Sequence, residues 1–422
     1  MNLTQRAKKV FTPALDWETD LAIKSTQGCH LEDYQGKKYL DFTSGVAVCT
    51  IGYNHPKVVA AAKAQLDLML HHGTVFLTES VVRAGEKLQE IAPKGIAKFF
   101  FSNSGAEAVE GAMKLARFST KRQGIIAFRG AFHGRTYGAM TLTTSKAKYR
   151  TAYMPLVPGV YHARYPNPYR DGAAATELAL TELRDLLKRE IAPEGVAAIF
   201  VEPVQGEGGY IVPPADFLKA LRELCDEHGI LLVFDEVQSG MGRTAKWWAC
   251  DHFKLSPDIL CAAKAIASGF PLSAVGARED LMDRWEANMH GTTFGGNPVS
   301  CAAAVATIET IQSEKLLEKG ARLGERMMRR LKEMQARYPA IGDVRGLGTM
   351  MALEFIDPKK PQAKLPSRDI QTSVRTQCLR DGLVLLPCGT HGNIIRLLPP
   401  LITPDEEADR GLDILEKAVK SP

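Results

Sequence analysis

From about His55 to Glu309, short apolar runs alternate with stretches of helix length, and no other feature limits the fold so closely. The runs occupy 97–101, 124–128, 196–201, 230–234 and 258–262. Strands that are apolar on both sides need cover on both faces, and strands joined through helices run parallel. The alternation therefore predicts an α/β chain whose mostly parallel sheet lies between two layers of helices. At 422 residues the chain exceeds what one core usually serves. It reads as a large domain over 55–309 and a smaller α+β domain, built from an N-terminal segment, 1–54, and a C-terminal one, 310–422.

Within the smaller part, 28–43 predicts a hairpin turning at Gln35-Gly36, with strands over 29–34 and 38–42. Leu316, Leu323, Met327, Leu331 and Met334 recur at helical spacing and predict a long helix over 316–337. Strands are expected over 345–355, 383–386 and 394–397. Thr403-Pro404-Asp405-Glu406 predicts a final helix opened by a capping box.

The net charge of +5 is small for this length, and no basic block or acidic tail stands out. Nucleic acid and membrane surfaces are therefore not expected partners. The first twenty residues lack the apolar core and cleavage site of a secretory signal. Eight cysteines occur singly, with no CxxC pair and no Cys/His spacing suited to zinc. Reduced, buried thiols in a cytoplasmic protein without a metal are the simplest expectation.

Four constellations carry chemistry. Ser102-Asn103-Ser104-Gly105-Ala106-Glu107 follows an apolar run and opens a helix. Helix starts present unpaired N–H groups that suit a phosphate, although plain N-capping by Ser102 or Ser104 is the commoner use of such residues. Asp235 stands at the end of the 230–234 run, at the sheet edge where ligands bind in open α/β folds. A buried carboxylate there needs a cation, such as a protonated pyridine nitrogen, or else caps the next turn. Lys264 is the only cation in the small, apolar stretch 258–271. A partly desolvated lysine amine is a good nucleophile toward carbonyls. Gly130-Ala131-Phe132-His133-Gly134-Arg135 offers a ring that could stack, an arginine that could clamp a carboxylate and a histidine that is as readily structural. Two further loops could carry site residues or be structural: 202–209, with Glu202 and Glu207 after a strand, and the polar loop 291–298, with Thr293.

Taken in order, SNSGAEA, FHGRT, EPVQGEGG, FDEVQSGMGRT, PDILCAAKAIASGFP and HGTTFGGNP resemble the class III (subgroup II) aminotransferases of pyridoxal-phosphate fold type I. The likeness runs from about Asp41–Pro56 to the C-terminal helix. GDVRGLGTMMALEF and LLPCGTHGNIIRLL are most similar to 4-aminobutyrate aminotransferases, while acetylornithine aminotransferases share several of the other segments.

The resemblance implies pyridoxal 5'-phosphate held covalently by Lys264, whose amine later moves the substrate's proton. Asp235 would pair with the ring nitrogen. Phe132 and Val237 would cover the two ring faces, Gln238 would reach the phenolic oxygen, and His133 would lie against the cofactor. Ser104, Gly105 and Ala106 would hold the phosphate, joined by Thr293 of a neighbouring subunit, so a homodimer or dimer of dimers with shared sites is implied. Arg135 would bind the distal carboxylate of the amino donor, and Arg396 the α-carboxylate of glutamate or 2-oxoglutarate. Glu207 would neutralise Arg396 when the donor has no α-carboxylate, with Glu202 and Val46 lining the same pocket. Other terminal amines, such as acetylornithine, ornithine and 5-aminovalerate, and racemisation by the same apparatus remain alternatives. The stretch 165–170 finds no assignment in the family pattern.

Overall fold

The computed structural model describes residues 3–420. Seven strands form its largest sheet: β1 (Lys98–Ser102), β2 (Gly124–Phe128), β3 (Val160–Ala163), β4 (Val196–Val201), β5 (Leu231–Asp235), β6 (Ile259–Ala262) and β7 (Ser273–Ala277). Their order is β1-β7-β6-β5-β4-β2-β3. The pairs from β6 to β3 are parallel, and β7 alone runs against its neighbours β6 and β1. Every residue of β2, β4, β5 and β6 is buried, as strands covered on both faces require. One apolar cluster packs each side of the sheet, with helix Gly105–Thr120 on one and helices Ala175–Arg189 and Ala215–His228 on the other.

The sequence pattern predicted five of these strands and missed two. β3 is short and half-polar, and β7 (Ser-Ala-Val-Gly-Ala) carries little bulk. Gly276 in β7 is tightly faced by Phe99 and Ile96, so the small residues there are a packing requirement.

Two four-stranded sheets use both ends of the chain. One orders Ile23–Gln27, His30–Asp33, Lys38–Asp41 and Leu383–Val384. The other orders Ile341–Leu347, Met350–Phe355, Ile394–Leu397 and Leu386–Cys388. The long helix lies at Leu316–Arg337 as expected, and its apolar stripe packs with the second sheet in a separate cluster.

Three local expectations are corrected. The strand expected over 345–355 is a hairpin that turns at Gly348, where φ is +53° and a Cβ would strike the Thr244 backbone at 2.4 Å. The strand expected over 383–386 divides, so that the residues on either side of Leu385 enter different sheets. Helix Asp405–Lys420 forms, but without its capping box. The Thr403 N–H that Glu406 would need donates instead to the Pro400 carbonyl at 3.0 Å, and the Thr403 hydroxyl is buried without a partner.

Candidate active site

The loops after β1, β2, β4, β5 and β6 leave the same edge of the sheet and enclose a cavity of about 450 Å³. The carboxyl edge of parallel strands is where an open α/β sheet leaves a crevice. Ser104, Gly105, Ala106, Phe132, His133, Arg135, Glu202, Asp235, Val237, Gln238 and Lys264 all line it.

After β1, Ser104 caps helix Gly105–Thr120. Its hydroxyl accepts from the Glu107 N–H at 3.3 Å, and the Glu107 carboxylate accepts from the Ser104 N–H at 2.8 Å. The reciprocal pair satisfies the helix entry and leaves the amides of Gly105 and Ala106 in the open first turn. A Cβ on Gly105 would lie 2.8 Å from Val237, and one on Gly134 would lie 2.7 Å from the Ala106 side chain. Both glycines therefore bring loops together at the cavity wall.

Asp235 ends β5 and is 4% exposed. Its Oδ2 lies 2.7 Å from His133 Nδ1, and its Oδ1 accepts from the Val237 N–H at 3.0 Å. Burial alone would lower the His133 pKa, but Asp235, helped by Glu202, reverses this and raises it. His133 Nε2 is buried without a partner.

Lys264 follows β6 and opens the short turn Lys264–Ala267 with φ +48°, an uncommon conformation for a long side chain. Burial lowers the pKa of its amine, opposed by the charges of Asp235 and Glu202. The lowered value keeps more of the amine neutral and nucleophilic.

Glu202 ties two loops together. Its carboxylate accepts from the Phe132 N–H at 3.0 Å and from the Gly206 N–H at 2.8 Å. Burial pushes its carboxyl up to about 7, against the pull of His133. The Phe132 ring stands edge-on to Tyr149 at 5.7 Å, and the Arg135 guanidinium sits 4.4 Å over the same tyrosine. Gln238 Oε1 is buried without a partner.

Glu207 and Arg396 form a pair at 3.1 Å, with side-chain exposures of 14% and 7%. Their charges reach Lys264, although neither residue lines the cavity itself. Arg396 belongs to strand Ile394–Leu397, so the second small sheet reaches the site through it. Val46 is also absent from the lining; it is exposed with φ +65°, and Val48 takes a place in the wall instead. Thr293 opens onto an adjacent hollow with Asn103, Glu107 and Phe294.

Several participants escaped sequence reasoning. The His133–Asp235 bond joins residues 102 positions apart, and nothing local announces it. Lys146 and Tyr149 approach Glu207 from a short turn with no motif. The stretch 165–170 proves to be a strut. The Tyr165 hydroxyl donates to the Glu202 carbonyl at 3.0 Å, and Arg170 pairs with Glu354 and the Lys364 carbonyl.

A lysine and a carboxylate meet at the carboxyl edge of a seven-stranded sheet, beside an open helix start, which is the arrangement of an enzyme site in an open α/β fold. The chain belongs to the class III aminotransferase family, whose model matches residues 14–419. It is 42% identical over 397 residues to the 4-aminobutyrate aminotransferase GabT of Escherichia coli (strain K12), covering 93% of this chain and 91% of that protein. It is 39% identical over 430 residues to an alanine/serine racemase of Pyrococcus horikoshii, covering 99% and 90%. A solved aminotransferase structure from Bacillus anthracis superposes with a TM-score of 0.93 at 31% identity, covering 100% of this chain and 98% of that one. Among the described residues, no helix is long and apolar enough to cross a membrane.

Proposed function

We propose that this enzyme moves the amino group of 4-aminobutyrate, or a similar terminal amine, to 2-oxoglutarate, giving succinate semialdehyde and glutamate. The observation that carries the reading is the buried Glu207–Arg396 pair beside Lys264. An arginine covered by an internal carboxylate suits a pocket that takes donors both with and without an α-carboxylate.

Pyridoxal 5'-phosphate fits the cavity. The first-turn amides at Gly105 and Ala106 suit its phosphate, Asp235 suits a protonated ring nitrogen, and Phe132 and Val237 suit its two faces. The buried, unpartnered Gln238 Oε1 and His133 Nε2 are polar atoms that such a ligand could approach. When bound, the cofactor supplies an electron sink for the pair released as a C–H bond beside the amine breaks. Lys264 Nζ would take that proton and hold it for return, its lowered pKa favouring the neutral base. Asp235, itself held by His133, would favour a protonated nitrogen opposite it. Arg135 at the rim receives the distal carboxylate, and Arg396 takes the α-carboxylate once Glu207 yields it.

Val75, Phe76 and Leu77 are 74%, 67% and 93% exposed, and Phe294 is exposed near Thr293. This apolar surface supports a homodimer or a dimer of dimers in which Thr293 serves a neighbouring site. All eight cysteines are buried and unpaired, which supports a cytoplasmic location. The separate core under the two small sheets supports dividing the chain near 54/55 and 309/310.

The test is the absorbance of the purified holoenzyme on adding 4-aminobutyrate without an acceptor. The lysine-linked cofactor band should fade and return with 2-oxoglutarate; a band that 4-aminobutyrate leaves untouched refutes the donor. The similarity to the Pyrococcus horikoshii racemase favours a second reading, inversion of a small amino acid. Inversion with nitrogen retained and no need of a 2-oxo acid would identify it.

A further inference from the structure

Glu207 has a second cation. Its Oε1 accepts a hydrogen bond from Lys146 Nζ at 2.9 Å, while its Oε2 faces Arg396 Nη1 at 3.1 Å. Each carboxylate oxygen therefore has its own cation at close range, Lys146 on one and Arg396 on the other. The Tyr149 hydroxyl stands 3.5 Å from the same oxygen that Lys146 holds.

The backbone around Glu207 is pinned. Gly206 N–H is bound by Glu202 at 2.8 Å, the Glu207 carbonyl accepts from Gly389 at 2.9 Å, and Arg345 Nε donates to the Gly209 carbonyl at 2.9 Å. Movement off Arg396 is therefore a matter for the Glu207 side chain. A largely buried carboxylate released from its only cation would bear a desolvation penalty. One already bonded to an ammonium at its other oxygen does not lose its only partner.

We propose that Lys146 is a positioning residue for substrate choice: it keeps hold of Glu207 when an incoming α-carboxylate displaces that side chain from Arg396. The inference rests on the gate reading given above. Lys146 acts through Glu207 and so favours α-carboxylate substrates over those that lack one. Without it, Arg396 is the one cation left in contact with Glu207, beside the longer Tyr149 hydroxyl contact, and Glu207 stays there.

The test uses the holoenzyme and the two half-reactions. Lys146→Met should raise the ratio of the KM for glutamate to that for 4-aminobutyrate by about tenfold, equivalent to about 1.4 kcal/mol. Lys146→Arg, which keeps the charge, should restore the ratio. In a Glu207→Gln background, Lys146→Met should leave the ratio where Glu207→Gln put it. An unmoved ratio in Lys146→Met, or an equal rise in the Glu207→Gln background, overturns the proposal, the second outcome marking Lys146 as a general attractor of anions. If Glu207→Gln alone does not shift the ratio, the gate itself falls and the proposal with it. Should Lys146→Met not accumulate folded, Lys146→Gln is read the same way.

Discussion

Replacing Glu207 with alanine strips a buried arginine of its counter-charge. At 3.1 Å the pair interacts by about 5 kcal/mol at an effective dielectric of about 20. Breaking a buried pair on one side typically costs about 3–5 kcal/mol, because the remaining charge stays desolvated. Water entering the space left by the side chain recovers part of this, leaving about 2–3 kcal/mol. With 4-aminobutyrate bound, nothing else neutralises Arg396, so that half-reaction should slow by about 30- to 150-fold. With glutamate bound, the α-carboxylate takes the vacant place, and the loss should stay within about threefold. Stopped-flow absorbance under single-turnover conditions separates the two, since each half-reaction is followed without the other. Equal losses for both donors would refute the reasoning and reduce Glu207 to a structural residue.

Lys264→Ala should lose turnover by at least about a thousandfold, since both the covalent link and the proton carrier go; substantial steady-state transfer by the purified variant would remove Lys264 from its role. Gly134→Ala places a Cβ 2.7 Å from Ala106 and 2.9 Å from Ala139 at φ +133°. It should destabilise the fold by about 2 kcal/mol, read from thermal unfolding, and weaken cofactor retention. Burial chiefly depresses the His162 pKa to about 4, aided by Arg150 and opposed by the hydrogen bond to Thr141. The unfolded chain takes up this proton below about pH 6.5 while the folded one resists it, so stability should fall by up to about 3 kcal/mol between about pH 6.5 and 4. A His162→Gln variant should show a flatter unfolding profile over that window; an identical slope would discard the assignment.

Burial on both faces made β2, β4, β5 and β6 legible, because it writes itself as an uninterrupted apolar run, and β1, only partly covered, was legible from its three phenylalanines. β4 and the strand at Ile394–Leu397 were found with their bounds intact. β7 was not, because its selection is for smallness against Phe99 and Ile96, and small residues resemble a turn. The site divides in the same way. Lys264 and Asp235 stood out because a charge at the end of an apolar run is anomalous wherever it occurs. A cap was legible at Ser102 or Ser104, and the structure places it at Ser104, where Glu107 closes a capping box. Lys146, Tyr149 and the His133–Asp235 bond depend on pairings between distant segments, and no local rule of spacing carries them.

The division at Leu385 bears on how the chain is made. Lys38–Asp41 hydrogen-bonds to Leu383–Val384, and Leu386–Cys388 is the edge strand of the neighbouring sheet, paired with Ile394–Leu397. Leu40 and Leu383 lie 343 positions apart, which at ribosomal rates of roughly 5–20 residues per second separates them by about 17–70 s. Throughout that interval the N-terminal hairpin leaves the ribosome with one edge open, while the seven-stranded sheet assembles behind it. Emergence of residues 383–397 therefore completes two sheets together, and a chain stalled before them would carry an unpaired edge ready to capture a neighbour.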